Sequence, residues 1–188
     1  MKSFKSLLLM LCVVLCGCDA EQQFGSPYAC NFIYYTSYHT ASSLTLAMGN
    51  PGQFVIVEQQ TVNGGVHLLF TNQSGTTENL LLATEKEKRL SYGSMGANRR
   101  LIIGCSNFNG PKAYDGHCSN CLRNLGGINY PLTWADNGRK LECKKCGRIY
   151  DPNTEGQPVD NAQKGDRNLY QYAITLNNEL LHVFNGKK

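Results

Sequence analysis

Four absences narrow what this chain can be. Beyond residue 15 no apolar run approaches the ~20 residues that a membrane-spanning helix needs, which argues against a helical span later in the sequence. No basic stripe is present: the 18 basic side chains less Lys2 and Lys5 leave 16 against 14 acidic ones, so nucleic acid is a poor partner. No Ser-His-Asp ordering, phosphate-cradling glycine loop or pair of catalytic carboxylates stands out, and the reading leans away from an enzyme. No internal repeat, low-complexity segment or long amphipathic helix appears, which removes solenoids and helical bundles.

What remains is rich in turn formers and tyrosine, with 19 glycines and 10 tyrosines among 188 residues, and its apolar runs are short. That composition points to an all-β protein. Residues 53–59 (Gln-Phe-Val-Ile-Val-Glu-Gln) read as a strand, 61–65 as a turn and 66–71 as a second strand. Residues 79–84 read as a strand or short helix, and 85–89 as a solvated charged stretch. Residues 100–104 (Arg-Leu-Ile-Ile-Gly) read as a buried strand. Residues 170–176 and 179–184 form a hairpin across Asn177-Asn178. The stretch 114–145 shows little periodicity.

The N-terminus carries Lys2 and Lys5, an apolar run over 7–15, then Gly17, Cys18 and the polar Asp19. This is the order of a secretory signal peptide, and the run is too short to span a bilayer. Leu15-Cys16-Gly17-Cys18 resembles the lipobox of bacterial lipoproteins. The resemblance implies a signal over 1–17, cleavage before Cys18, a diacylglycerol on its sulfur and a tether over 18–27. Alternatively, Cys18 is an ordinary residue near another cleavage site. The expected location is the bacterial cell envelope, with the membrane as partner through the lipid and a further protein partner unidentified.

Nine cysteines occur. On the lipobox resemblance, Cys12 and Cys16 leave with the signal and Cys18 is the expected lipid site. Four of the remaining six form Cys118-Ser-Asn-Cys121 and Cys143-Lys-Lys-Cys146. Two intervening residues let both thiolates of a pair turn toward one ion, so two such knuckles supply a tetrahedral sulfur site. Gly147 suits a knuckle, because the turn needs a residue free of Cβ clash. The rival reading is two disulfides, which an oxidising compartment permits. Cys30 and Cys105 read equally as a disulfide or as two buried thiols.

The segment Cys143-Lys-Lys-Cys146-Gly-Arg-Ile-Tyr150-Asp151 resembles the second metal loop of Rieske proteins. Ala113-Tyr-Asp-Gly-His117-Cys118 is similar to the strand end that delivers the first loop. Gly156-Gln-Pro158, Leu169-Tyr-Gln-Tyr172 and Leu181-His-Val183 resemble the turn and closing hairpin of that domain. More weakly, Pro51-Gly-Gln-Phe-Val-Ile-Val57 looks like the opening strand of Rieske-like lipoproteins of Bacteroidetes type. The resemblance implies an antiparallel Rieske-like β sandwich or barrel over 28–188, with a zinc-ribbon-like metal-binding subdomain at about 113–160. It also implies where the ligands depart from the family. Cys118 and Cys143 match its two cysteines, Cys146 replaces the second histidine, and the first histidine would fall at Asn120, one residue before Cys121.

A Rieske cluster draws its raised potential from two imidazole ligands, which this set lacks. Four thiolates suit zinc, with a [2Fe–2S] cluster or a single iron as alternatives. The expected role is structural and non-catalytic, the alternative electron transfer. His117 and His182 read as structural histidines, His39 and His67 have no visible partners, and Asp115 and Asp151 read as loop caps beside the metal loops.

Overall fold

The structure is a computed structural model and describes residues 25–90 and 92–186. The signal segment, Cys18 and residues 19–24 of the tether lie outside the described residues. Along the chain run β1 (Asn31–Tyr34), the short helix α1 (Ser43–Gly49), β2 (Phe54–Val62), β3 (Gly65–Asn72) and β4 (Thr77–Leu81). The single-turn helix α2 (Glu85–Lys88), β5 (Arg100–Ser106), β6 (Gly110–Asp115) and α3 (Ser119–Leu125) come next. They are followed by β7 (Leu132–Ala135), β8 (Lys140–Cys143), β9 (Ile149–Asp151), β10 (Gln157–Asp160), β11 (Gln171–Leu176) and β12 (Leu181–Phe184). The protein is all-β, with 42% of the described residues in strands and 13% in helices.

Two antiparallel sheets carry the fold. The large one has the order β1-β12-β11-β6-β5-β2-β3-β4, the small one β10-β9-β8-β7. The apolar runs of β2 and β5 are continuous rather than alternating because both faces of these central strands are covered. Val55, Val57, Leu101 and Ile103 enter one core. Phe54, Ile56 and Ile102 enter the other, where they meet Tyr114 of β6 and Leu132, Leu141 and Tyr150 of the small sheet. Burying each such side chain is worth roughly 1.5–3 kcal/mol. The large sheet rolls around the first core: Tyr34 of edge strand β1 meets Phe70 of β3 edge-on, with centroids 5.7 Å apart. Helix α1, capped by the Ser42 side chain on Thr45 N, plugs that core with Leu44, Ala47 and Met48.

The charged stretch 85–89 is not simply solvated. It forms α2 under a capping box, in which the Thr84 hydroxyl accepts from Glu87 N and the Glu87 carboxylate accepts from Thr84 N. Glu87 is buried, and its partner is His39. Burial raises the Glu87 pKa, but hydrogen bonds from His39 and Thr84 outweigh it and hold the carboxyl below its ordinary value. A folded pKa below the unfolded one (about 4.3) contributes stability above the unfolded value and loses it as pH falls through the folded value. Melting temperature is therefore expected to fall on acidification below about pH 4. A Glu87→Gln variant should show a shallower acid slope; equal slopes would show that Glu87 does not contribute.

Polar and backbone contacts also fasten the small sheet to the large one. The Trp134 indole donates to Thr71 O at 3.0 Å. The β7–β8 turn places Gly138 at φ +82 against Gln73, where a Cβ would overlap the Gln73 carbonyl oxygen. Gly138→Ala combines positive-φ strain with a backbone clash, and a loss of about 1–3 kcal/mol in urea denaturation is expected. Cys30 and Cys105 are free thiols: the Cys30 sulfur faces Val183 O and that of Cys105 faces Ser106 O.

Candidate metal centre

The first knuckle is built where β6 leaves the large sheet. Gly116 N donates to Arg100 O, and its own carbonyl accepts from Leu132 N, so one residue joins β5 to β7. Gly116 leaves no room for a side chain, because a Cβ there would run into Arg100. Cys118 N donates to Tyr130 O at 2.9 Å. Cys118 then takes the N-cap position of α3 in extended conformation, and its sulfur accepts from Cys121 N at 3.5 Å. An N-cap cysteine turns its sulfur back over the first helical turn, which is how Cys121 comes to lie beside it.

The second knuckle joins β8 to β9. Cys143 O accepts from both Cys146 N and Gly147 N, and Cys143 N donates to Arg148 O. Gly147 has φ +70, a conformation that a side chain would strain. Because Cys143 pairs with Leu132 across the small sheet, this knuckle is held next to the first.

All four sulfurs lie within 4.8 Å of one another. The closest pairs cross between the knuckles: Cys118 to Cys146 at 3.7 Å and Cys121 to Cys143 at 3.8 Å. Metal–sulfur bonds of 2.3 Å at tetrahedral angles set sulfur–sulfur edges of about 3.8 Å. Two pairs already stand at that spacing, and the widest exceeds it by about 1 Å. None of the four is in a disulfide. Cys118, Cys121 and Cys143 are buried, and Cys146 is partly exposed. The four expected ligands thus converge, and the cluster can hold a metal ion.

The thiols do not titrate alike. The neighbouring Cys143 thiol draws the Cys118 pKa down, against the desolvation that opposes it, with the Tyr150 hydroxyl and the Cys121 amide also donating. The same proximity to Cys118 pushes Cys143 up, and burial pushes Cys121 up. A cation binding here displaces the protons that Cys121 and Cys143 hold, so binding strengthens as pH rises.

Around the sulfurs stands a layer of supporting residues. The Tyr150 hydroxyl lies 3.1 Å from the Cys118 sulfur and accepts from Asn120 Nδ2 at 3.0 Å, which leaves its proton for the sulfur. Asn120 also donates to Arg167 O and accepts from Arg167 N, each at 3.0 Å. Residues 161–169 are thereby strapped over α3. Arg148 closes the other side through a two-point pairing with Asp166 at 2.7 and 2.9 Å, and both Asp166 and Cys146 keep it charged. Tyr150→Phe removes a donor to sulfur and leaves Asn120 short of an acceptor. It is expected to cost about 1–3 kcal/mol and to speed metal loss to a chelator; an unchanged rate would show that the hydroxyl does not support the site.

Asp115 does more than cap a loop. It is fully buried, and its carboxylate accepts from Ala97 N (2.8 Å), the Tyr172 hydroxyl (2.8 Å) and His117 N (3.0 Å). Asp151 accepts from Asn153 N and pairs with Lys140 across the ends of the two central strands of the small sheet. His117 is buried beside Asp115, and its Nδ1 has no hydrogen-bond partner among the described residues. His182 bonds Asn31 and His67 bonds Asn79, so neither histidine approaches the sulfurs. Comparison of the chain with family models, curated proteins and solved structures returned no match.

Proposed function

We propose that this chain is a lipid-anchored protein of the bacterial cell envelope. In this reading its Rieske-like β domain holds one zinc ion through Cys118, Cys121, Cys143 and Cys146. The ion is a structural clip, and the protein serves a non-catalytic binding or assembly role at the membrane.

The observation that carries the reading is the convergence of four sulfurs within 4.8 Å. A two-iron cluster takes two thiolates on each iron with sulfides bridging between them, which sets the thiolate pairs on opposite sides of the cluster. Four mutually close sulfurs, with the shortest approaches crossing between the knuckles, suit a single ion. The position of the site gives the ion its task. It joins the end of β6 in the large sheet to the β8–β9 turn of the small one, so binding energy at the sulfurs becomes folding energy. Anchoring rests on the Leu-Cys-Gly-Cys ending of the N-terminal apolar run.

A second reading, a single iron that transfers electrons, draws on the Tyr150 hydroxyl at the Cys118 sulfur and on the partial exposure of Cys146. Hydrogen bonds to sulfur and solvent access tune the potential of iron–thiolate centres. The visible spectrum separates the two: zinc gives a colourless protein, and iron a coloured one. Intact mass of the membrane-extracted protein tests the anchor. The expected product starts at Cys18 with added acyl mass, and an unmodified N-terminus downstream would contradict it.

A further inference from the structure

We infer that the face formed by α3, the second knuckle and the 161–169 strap is a contact surface for anionic phospholipid headgroups. Five cations stand exposed on these three segments: Arg123, Lys144, Lys145, Lys164 and Arg167. None of them forms an ion pair among the described residues, whereas Lys112, Arg139, Lys140 and Arg148 in the same half of the chain each have a carboxylate. The acidic groups of this face do not cancel the five. Asp166 is taken by Arg148, which leaves Glu142 and Asp160.

The five cations are far apart in sequence, and hydrogen bonds bring their segments together. The Arg123 guanidinium donates to Gly165 O at 3.2 Å, beside Lys164. Asn120 grips both backbone groups of Arg167. Asn161 Nδ2 donates to Gly147 O at 2.8 Å and ties the strap to the knuckle that carries Lys144 and Lys145. Charge compensation at the thiolates does not account for these side chains, because buried Arg148 beside Cys146 already serves it and exposed charges are screened by water.

Two further observations favour a lipid surface over an acidic protein. Leu125, at the end of α3, is 55% exposed, and Ile128, just beyond it, is 50% exposed. Basic side chains rimmed by exposed apolar ones suit the boundary of headgroup and acyl chain. The N-terminal segment also runs alongside this face. The Tyr28 ring packs edge-on against Tyr170, three residues after Arg167, with centroids 6.1 Å apart. Ala29 O accepts from Gly96 N, and nearby Asn98 reaches Asn129 in the loop after α3. An anchor at Cys18 would therefore keep this side within reach of the bilayer, a step that alone rests on the proposed lipidation.

The test uses the full chain with vesicles of phosphatidylcholine alone and of phosphatidylcholine mixed with phosphatidylglycerol. The N-terminal apolar run adds to binding on both, so the readout is amide exchange over 119–130, 144–147 and 162–168. Protection is expected on the anionic vesicles and not on the neutral ones, and it should disappear as salt rises above about 0.3 M. The combined variant Lys144→Glu, Lys145→Glu, Lys164→Glu and Arg167→Glu should lose about tenfold or more of the preference for anionic vesicles. The salt titration of the unaltered protein carries the test by itself if that variant folds poorly. Equal protection on both vesicles would overturn the proposal. So would protection by soluble polyglutamate with none by vesicles, which would assign the face to an acidic protein. A chain found without acyl mass would sink the anchor and leave the vesicle result standing.

Discussion

Replacing Cys143 by serine is expected to abolish metal binding and to cost the protein most of its folding stability. Cys143 is fully buried at the end of β8, opposite Leu132 and 3.8 Å from the Cys121 sulfur. A serine keeps the shape, but its neutral hydroxyl is a poor ligand for a soft-leaning cation. The three remaining thiols then stay in an apolar pocket without the charge that organises them. Structural zinc sites in small domains contribute an apparent ~10–16 kcal/mol at neutral pH, and typical domains have only about 5–15 kcal/mol in total. The variant should appear as a shifted or lost thermal transition and as proteolysis within 116–169. Treating the unaltered protein with a strong chelator should reproduce both effects. A Cys143→Ser protein with the parental melting temperature would show that the sulfurs converge without a structural consequence.

Asp115→Ala is expected to be the most damaging substitution outside the cysteines, at about 3–5 kcal/mol. The carboxylate is fully buried and receives three hydrogen bonds from different parts of the fold: the 97 turn, β11 through Tyr172, and the first knuckle through His117 N. Ser26 extends the network, since its hydroxyl meets that of Tyr172 at 2.8 Å. Alanine leaves those donors buried and unpaired, and each stranded group costs about 1–3 kcal/mol. Urea denaturation measures the loss. Asn in place of Asp keeps an acceptor oxygen and should recover part of it. A loss below about 1 kcal/mol for Asp115→Ala would mean that water replaces the carboxylate.

The sequence exposed the large sheet unevenly, for a physical reason. Runs such as Phe54-Val-Ile-Val57 and Leu101-Ile-Ile103 are apolar on both faces, so they stand out as strands without any knowledge of their partners. The β11–β12 hairpin was legible for its turn at Asn177-Asn178. The small sheet was not, because β7, β8 and β9 are three or four residues long and bury only Leu132, Leu141, Cys143 and a few others. Helix α1 is too short for its period to show. Helix α2 did carry a readable signal, Thr84 followed by Glu87 three residues later, which the charge of the segment masked. The ligands were legible because knuckle spacing is local. Their supports were not, since Tyr150, Asn120 and Arg167 meet only once the strap folds over α3. The collar of five cations is likewise assembled from three segments and forms no stripe along the chain.

Elemental analysis of protein purified without oxygen tests most directly whether Cys118, Cys121, Cys143 and Cys146 hold one metal ion. The absence of oxygen matters, because an air-sensitive iron centre could otherwise be lost and replaced. The expected result is a colourless protein with about one zinc per chain, no acid-labile sulfide, and no zinc in the Cys143→Ser variant. A coloured protein with stoichiometric iron, with or without sulfide, would contradict the zinc clip and favour the electron-transfer alternative. A metal-free protein with two disulfides among the four cysteines would contradict the metal centre altogether.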